Sequence, residues 1–245
     1  MKHLLKSVAV IVALGAMGIY AWQADALPPY FKDGSSSGMS GATPAAATTT
    51  GAPAETQPPK SIDPAQASSI VPERILGKAD APVTVHEFVS LTCPHCAQFY
   101  TDVLPKLKEK YVDTGKVRFI MHDFPMDGVG LRASALARCM PAEQFYPFVE
   151  MLFKNQQTWA MSPEPDKILT QYAKLGGLPD EKAKACLTDT KMQDALIALR
   201  EDASKQYTIS STPTFIINNG ADKIEGAQSA EKFSAAFDKL LAPKP

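Results

Sequence analysis

Cys93 and Cys96 stand where an extended run of residues turns into a helical one, and no other feature of the 245-residue chain narrows its fold so far. Upstream, Val83 to Val89 is rich in β-branched and aromatic residues, is bounded by Lys78 to Pro82, and reads as a buried or half-buried strand. Downstream, Phe99, Tyr100, Val103, Leu104 and Leu107 recur at helical spacing. Pro94 suits the first turn of that helix, where a missing N–H costs nothing. A Cys-x-x-Cys in this position has three readings: a redox disulfide, half of a metal site, or a structural bridge. A tetrahedral zinc site would need two more ligands at short spacing. His86, His95 and His122 form no such pair, and Cys139 and Cys186 stand 47 positions apart, so the redox reading leads and no metal is expected. The first-turn N–H groups and the helix dipole stabilise a thiolate at the N-terminal cysteine, which makes Cys93 both the attacking sulfur and the better leaving group. Cys96, one turn further in, would resolve the mixed disulfide, and His95 is placed to donate to the Cys93 sulfur.

Further strands are expected at Lys116 to Met121 and Thr214 to Asn218, the latter followed through Asn219-Gly220 by a short strand at Asp222 to Glu225, which reads as a hairpin. Ser229 caps a closing helix that runs to Leu241, with Phe233, Ala236, Phe237 and Leu240 on its inner face. The order βαβ…ββα is thioredoxin-like. Between the two halves, Leu131 to Met140, Tyr146 to Gln157, Pro165 to Leu175, Glu181 to Thr188 and Met192 to Gln206 show apolar steps of three and four. The expected fold is therefore α/β: a thioredoxin-like domain of residues 70–127 and 208–245, interrupted by an all-helical insertion of residues 128–207. Phe145, Phe148, Met151, Phe153 and Trp159 of that insertion read as core.

Residues 1–26 carry Lys2 and Lys6, an uncharged stretch from Val8 to Trp22 and the small-x-small pattern Ala24-Asp25-Ala26, and so read as a cleaved export signal or an anchor retained through residues 7–22. Residues 27–69, rich in Ala, Thr, Ser and Pro, read as a flexible tether. Either reading of the leader places the body outside the cytoplasm, in the periplasm, soluble or tethered to the inner membrane. A formal charge of −1 from 25 basic and 26 acidic side chains, dispersed along the chain, offers no field for nucleic acid. A single long apolar run excludes a polytopic membrane protein, and four cysteines are too few for a disulfide-dense scaffold.

Several motifs taken together, Asp80 to Phe88, Cys93-Pro94-His95-Cys96, His122 to Met126, Arg132 to Cys139 and Ser211 to Ile217, resemble the DsbA family of exported thiol–disulfide oxidoreductases over residues 70–242. With its second cysteine pair the chain is similar to the alphaproteobacterial type. The resemblance implies that Thr212 and Pro213 form a cis-proline loop lying against the active-site cysteines and presenting backbone to substrate; Thr212 departs from the valine of the best-known oxidase. It implies that Glu87 is the buried acid that influences proton transfer near the resolving thiol, the alternative being a strand carboxylate satisfied by a lysine. Pro94 and His95 would modulate the dithiol. Cys139 and Cys186, in an oxidising compartment, would form a second, structural disulfide or a regulatory one. No cofactor is implied beyond the Cys93–Cys96 disulfide. The implied partners are reduced or unfolded exported proteins and a DsbB-like, quinone-linked membrane reoxidant, with the protein itself a monomer. The rival activities are a disulfide reductase or isomerase of the same fold and a non-catalytic peptide-binding chaperone.

Overall fold

The computed structural model describes residues 62–243, so the leader and most of the tether lie outside the described residues. Five strands form one mixed sheet in the order β1-β3-β2-β4-β5. The central strand β2 (Val83–Val89) pairs in parallel with β3 (Val117–Asp123) and antiparallel with β4 (Thr214–Ile217). The edges are β1 (Ile75–Leu76) on β3 and β5 (Asp222–Glu225) on β4. The two-residue β1 is too short to carry a period, so no sequence pattern marks it.

Alternation along β2 builds two cores. Val83, Val85 and Val89 point into the main core, while Phe88 faces the other way among Phe124, Ile209 and Ile216. In the main core Phe99 lies 4.5 Å from Phe215, and Phe215 lies 4.8 Å from Phe233, centroid to centroid. Each such ring contributes on the order of 1.5–3 kcal/mol by burial. On the opposite face, parallel pairing sets His86 and Phe88 beside Ile120 and His122. The imidazoles of His86 and His122 hydrogen-bond each other at 2.9 Å, and burial holds His122 at about 3, so it stays neutral.

The crossover from β2 to β3 is one long, interrupted helix. α2 (Pro94–Gln98) passes through a π-helical turn at Phe99–Val103 into α3 (Leu104–Leu107) and a second such turn at Lys108–Val112. Pro105 accounts for the first interruption. It has no N–H for the carbonyl four residues back, and the widened turn, in which Leu104 N–H reaches the Phe99 carbonyl, keeps the helix going past it.

Six helices separate β3 from β4: α4 (Gly128–Arg138), α5 (Ala142–Lys154), α6 (Gln156–Ala160), α7 (Pro165–Leu175), α8 (Asp180–Leu187) and α9 (Thr190–Tyr207). α4 begins three residues earlier than periodicity suggests because the Asp127 carboxylate caps it, accepting from Gly130 N–H at 2.7 Å. The helix expected from Tyr146 to Gln157 is two helices that meet at Asn155. Phe145, Phe148, Phe153 and Trp159 are buried. After β4, Asn218 and Asn219 both adopt positive φ in the turn to β5. α10 (Ala230–Leu241) closes the chain with the Ser229 cap accepting from Lys232 N–H and Phe233, Ala236 and Phe237 buried.

The composition-based end of the tether, residue 69, needs correction. Asp63 caps a helix α1 (Pro64–Ile70), with Pro64 at its first position, and Ala67 and Val71 pack with Ala195, Leu196 and Ala198 of α9. Alanine-rich sequence hides such a helix, because the small side chains that look like linker are what lets two helices approach closely.

Candidate active site

β2 ends at Val89, and Ser90, Leu91 and Thr92 lead into Cys93, which sits just ahead of α2 in an extended conformation with φ −79° and ψ 121°. Pro94 follows as the first helical residue and is exposed. Cys93 is half-buried and Cys96 fully buried, and both thiols are free. The Thr212–Pro213 peptide bond is cis, as the resemblance implied, and its loop meets the cysteines directly: the Cys93 thiol donates to the Thr212 carbonyl at 3.3 Å.

The two sulfurs occupy opposite electrostatic situations. A hydrogen bond from the Cys96 thiol, aided by the Thr212 side chain and the backbone N–H groups of Cys96 and His95, brings Cys93 down from its ordinary 9.0 to about 5, against the opposing effect of partial burial. Burial, followed by the neighbouring Cys93, pushes Cys96 well up. Thus one sulfur is ready to ionise and the other is held as a thiol. His95 acts here through its backbone: its imidazole is exposed, and what it gives Cys93 is the N–H of the first helical turn.

Glu87 lies in the middle of β2, fully buried, between Met121 of β3 and Phe215 of β4 in register. Burial raises its carboxyl from 4.5 to about 7, partly offset by a hydrogen bond from Tyr100 and the charge of Arg138. The partner that satisfies it is therefore a tyrosine and not a lysine. The Tyr100 hydroxyl donates to Glu87 Oε1 at 2.8 Å, and Oε2 has no partner.

Residues that sequence reasoning passed over hold the turn in place. The buried Gln156 of α6 donates its amide to the carbonyls of Leu91 (2.7 Å) and Cys93 (3.0 Å). The Thr92 hydroxyl donates to Asp127 at 2.6 Å, so the residue that caps α4 also anchors the chain beside Cys93. Gly130 makes that approach possible: a Cβ there would stand 2.9 Å from the Thr92 hydroxyl oxygen. Gln156 sits in the polar stretch Lys154 to Thr158, where nothing in the sequence marks it out, and Tyr100 is marked only by its place one turn beyond Cys96.

Cys139, just past the end of α4, and Cys186 of α8 are joined by a disulfide within the helical segment. Among the described residues no group of three or more His, Cys, Asp or Glu side chains is arranged to hold a metal ion, and no helix is long and apolar enough to cross a membrane.

Comparison with known proteins gives the same picture. The sequence profile described as Thioredoxin matches residues 69–239. A protein of Rickettsia bellii named for protein-disulfide oxidoreductase activity is 35% identical over 170 residues, covering 69% of this chain and 64% of that one. The chain thus spans less than two thirds of the length of the rickettsial relatives it matches. Disulfide bond formation protein D of Bacillus subtilis is 32% identical over 174 residues, 67% of this chain and 78% of the relative. Among solved structures, alpha-DsbA1 of Wolbachia pipientis superposes with a TM-score of 0.64 at 31% identity, over 71% of this chain and 94% of that one.

Proposed function

Because the chain belongs to the DsbA-type protein-disulfide oxidoreductases of thioredoxin-like fold, we propose that it introduces disulfide bonds into other proteins outside the cytoplasm. The observation that carries this reading is the unequal pair itself: a reachable Cys93 at the start of a helix, backed by a fully buried Cys96. A substrate thiolate attacks Cys93 Sγ of the oxidised pair; the Cys93–Cys96 bond breaks and its electrons leave on Cys96, which is then protonated. A second substrate thiolate attacks the substrate sulfur of the mixed disulfide, the substrate leaves with its new disulfide, and Cys93 departs as the stable thiolate. Two electrons pass from the substrate dithiol to Cys93 and Cys96. Burial shields Cys96 from outside thiols, so attack is confined to Cys93.

The direction follows from linkage. In the reduced protein Cys93 ionises near pH 5, whereas in an unfolded chain it would ionise near 9.0. Between those values the native reduced state has released a proton that the unfolded state retains, so the reduced fold gains stability as pH rises through this window and loses it as pH falls through about 5. The oxidised pair has no such group. At neutral pH the reduced form is therefore favoured, and a favoured reduced form makes the disulfide oxidising.

In this scheme Glu87 exchanges the proton of Cys96, Thr212 and Pro213 present backbone to the substrate chain, and Cys139–Cys186 braces the helical insertion. Reoxidation would fall to a DsbB-like, quinone-linked membrane protein. The deciding experiment is equilibration of Cys93–Cys96 with a glutathione redox buffer, with Cys139 and Cys186 followed separately by mass. A potential well above the glutathione couple supports donation of disulfides; one near that of thioredoxin overturns it in favour of a reductase.

A further inference from the structure

The carboxyl of Glu87 is placed unusually for a group that must trade protons. It is fully buried, and one of its oxygens is bound while the other is not. A charged carboxylate with an orphaned buried oxygen is costly, and a neutral carboxylic acid whose proton resides on that oxygen is less so. The groups that face it are few. Met121 and Phe215 flank it in the sheet. Tyr100 reaches it from the helix that bears Cys96, Tyr146 on α5 lies close enough for the charge of Glu87 to push its hydroxyl up, after burial, and Arg138 of α4 has its charge taken up at 2.6 Å by Asp123. The Tyr100 hydroxyl is also 3.7 Å from Met121 Sδ, so it sits wedged between that thioether and Glu87 Oε1. Its ring is fixed in turn against Phe153 of α5, 4.4 Å between centroids.

We propose that Tyr100 is the positioning residue for the proton step at Cys96: by holding Glu87 Oε1 it leaves Oε2 as the oxygen that gives and takes the proton. The inference rests on the dithiol exchange described above. When the Cys93–Cys96 bond breaks, the electron pair goes to Cys96 Sγ; the proton on Glu87 Oε2 passes to that sulfur directly or through one water, and the carboxylate left behind is stabilised by the Tyr100 O–H. In the reverse direction Cys96 returns the proton to Oε2 as its sulfur attacks the mixed disulfide. Cys96 and Tyr100 are one turn apart on one helix, so the hydroxyl ties the acid to the element that carries the sulfur it serves. Tyr100 itself stays protonated, since burial and then Glu87 push it well above its ordinary range.

The test is the pH dependence of reduction of the Cys93–Cys96 disulfide by dithiothreitol in the purified protein, for the wild type and for Tyr100→Phe, Glu87→Gln and the double variant. Tyr100→Phe keeps the ring against Phe153, and thermal unfolding confirms that it folds. The wild type is expected to show a break near neutral pH; Tyr100→Phe moves that break up by about one to two on the pH scale, the worth of one hydrogen bond to a charged group. Glu87→Gln removes the break, and the double variant behaves as Glu87→Gln alone. The alkylation midpoint of Cys93 stays put in Tyr100→Phe, which a general loosening of the site would not leave unmoved. A break at the wild-type pH in Tyr100→Phe, or a further change in the double variant over Glu87→Gln, overturns the inference. A wild-type disulfide that resists dithiothreitol altogether would instead overturn the proposed function.

Discussion

The two cysteine pairs differ less in chemistry than in where the backbone puts them. Cys93 and Cys96 share one helical turn, with unfilled N–H groups aimed at one sulfur and apolar core around the other. Cys139 and Cys186 come from different helices, 47 positions apart, and no helix start points at either of them. Closing the first pair ties off almost no chain and changes the charge of the site; closing the second ties off a long loop and changes no charge. Loop length governs what a disulfide does for stability, and asymmetry of surroundings governs what it does for reactivity.

The sharpest way to break this contrast is to delete each pair. Cys93→Ser should abolish exchange with glutathione. Cys139→Ala with Cys186→Ala should leave exchange in place while lowering stability in urea by about 4 kcal/mol, the loop-closure entropy of 47 residues. A folded double variant without exchange activity would show that the second pair governs the first.

Next in size is Glu87. Its native carboxyl holds a proton up to about pH 7, whereas an unfolded chain loses it near 4.5. Between these values the native state binds more protons than the unfolded one, so the contribution of Glu87 to stability falls as pH rises through that window, by on the order of 3 kcal/mol in all. Glu87→Gln should flatten this slope, read from urea midpoints between pH 4 and 8; an unchanged slope would assign the pH dependence elsewhere. Gln156→Ala should cost about 1–3 kcal/mol by stranding the carbonyls of Leu91 and Cys93, and it should be felt at Cys93, not at Cys139–Cys186. The smallest effects concern the thiolate itself. Cys96→Ala, and to a lesser degree Thr212→Val, should move the midpoint of Cys93 alkylation upward from about pH 5, because each removes a group that lowers it, the Cys96 contact being the larger.

Most of the fold was legible because its elements are strongly patterned. β2 and β5 run over the residues that periodicity marked, α7 likewise, and Ser229 caps α10 as its residue type suggests. What escaped were features set by distant partners. β1 exists because β3 offers it an edge, α1 because α9 offers alanines to pack on, and beyond the split at Asn155 the first residue of α6, Gln156, holds the loop before Cys93. At the site, the cysteines were visible in the motif and the proline loop through the family resemblance. The hydroxyl on Glu87 was not, since nothing local says that a helix residue will reach into the sheet where a lysine was the alternative.

The pairing of β2 with β4 joins Glu87 to Phe215 and Phe88 to Thr214 across more than half of the described chain. Synthesis delivers Cys93 long before Thr212, by about 6–24 s at roughly 5–20 residues per second for the 119 positions between them. Throughout that interval Cys93 has no Thr212 carbonyl to lean on. Part of the selectivity between the two sulfurs thus arrives with the last strands, so a chain truncated before β4 would carry the whole motif and its first-turn N–H groups without the contribution of Thr212.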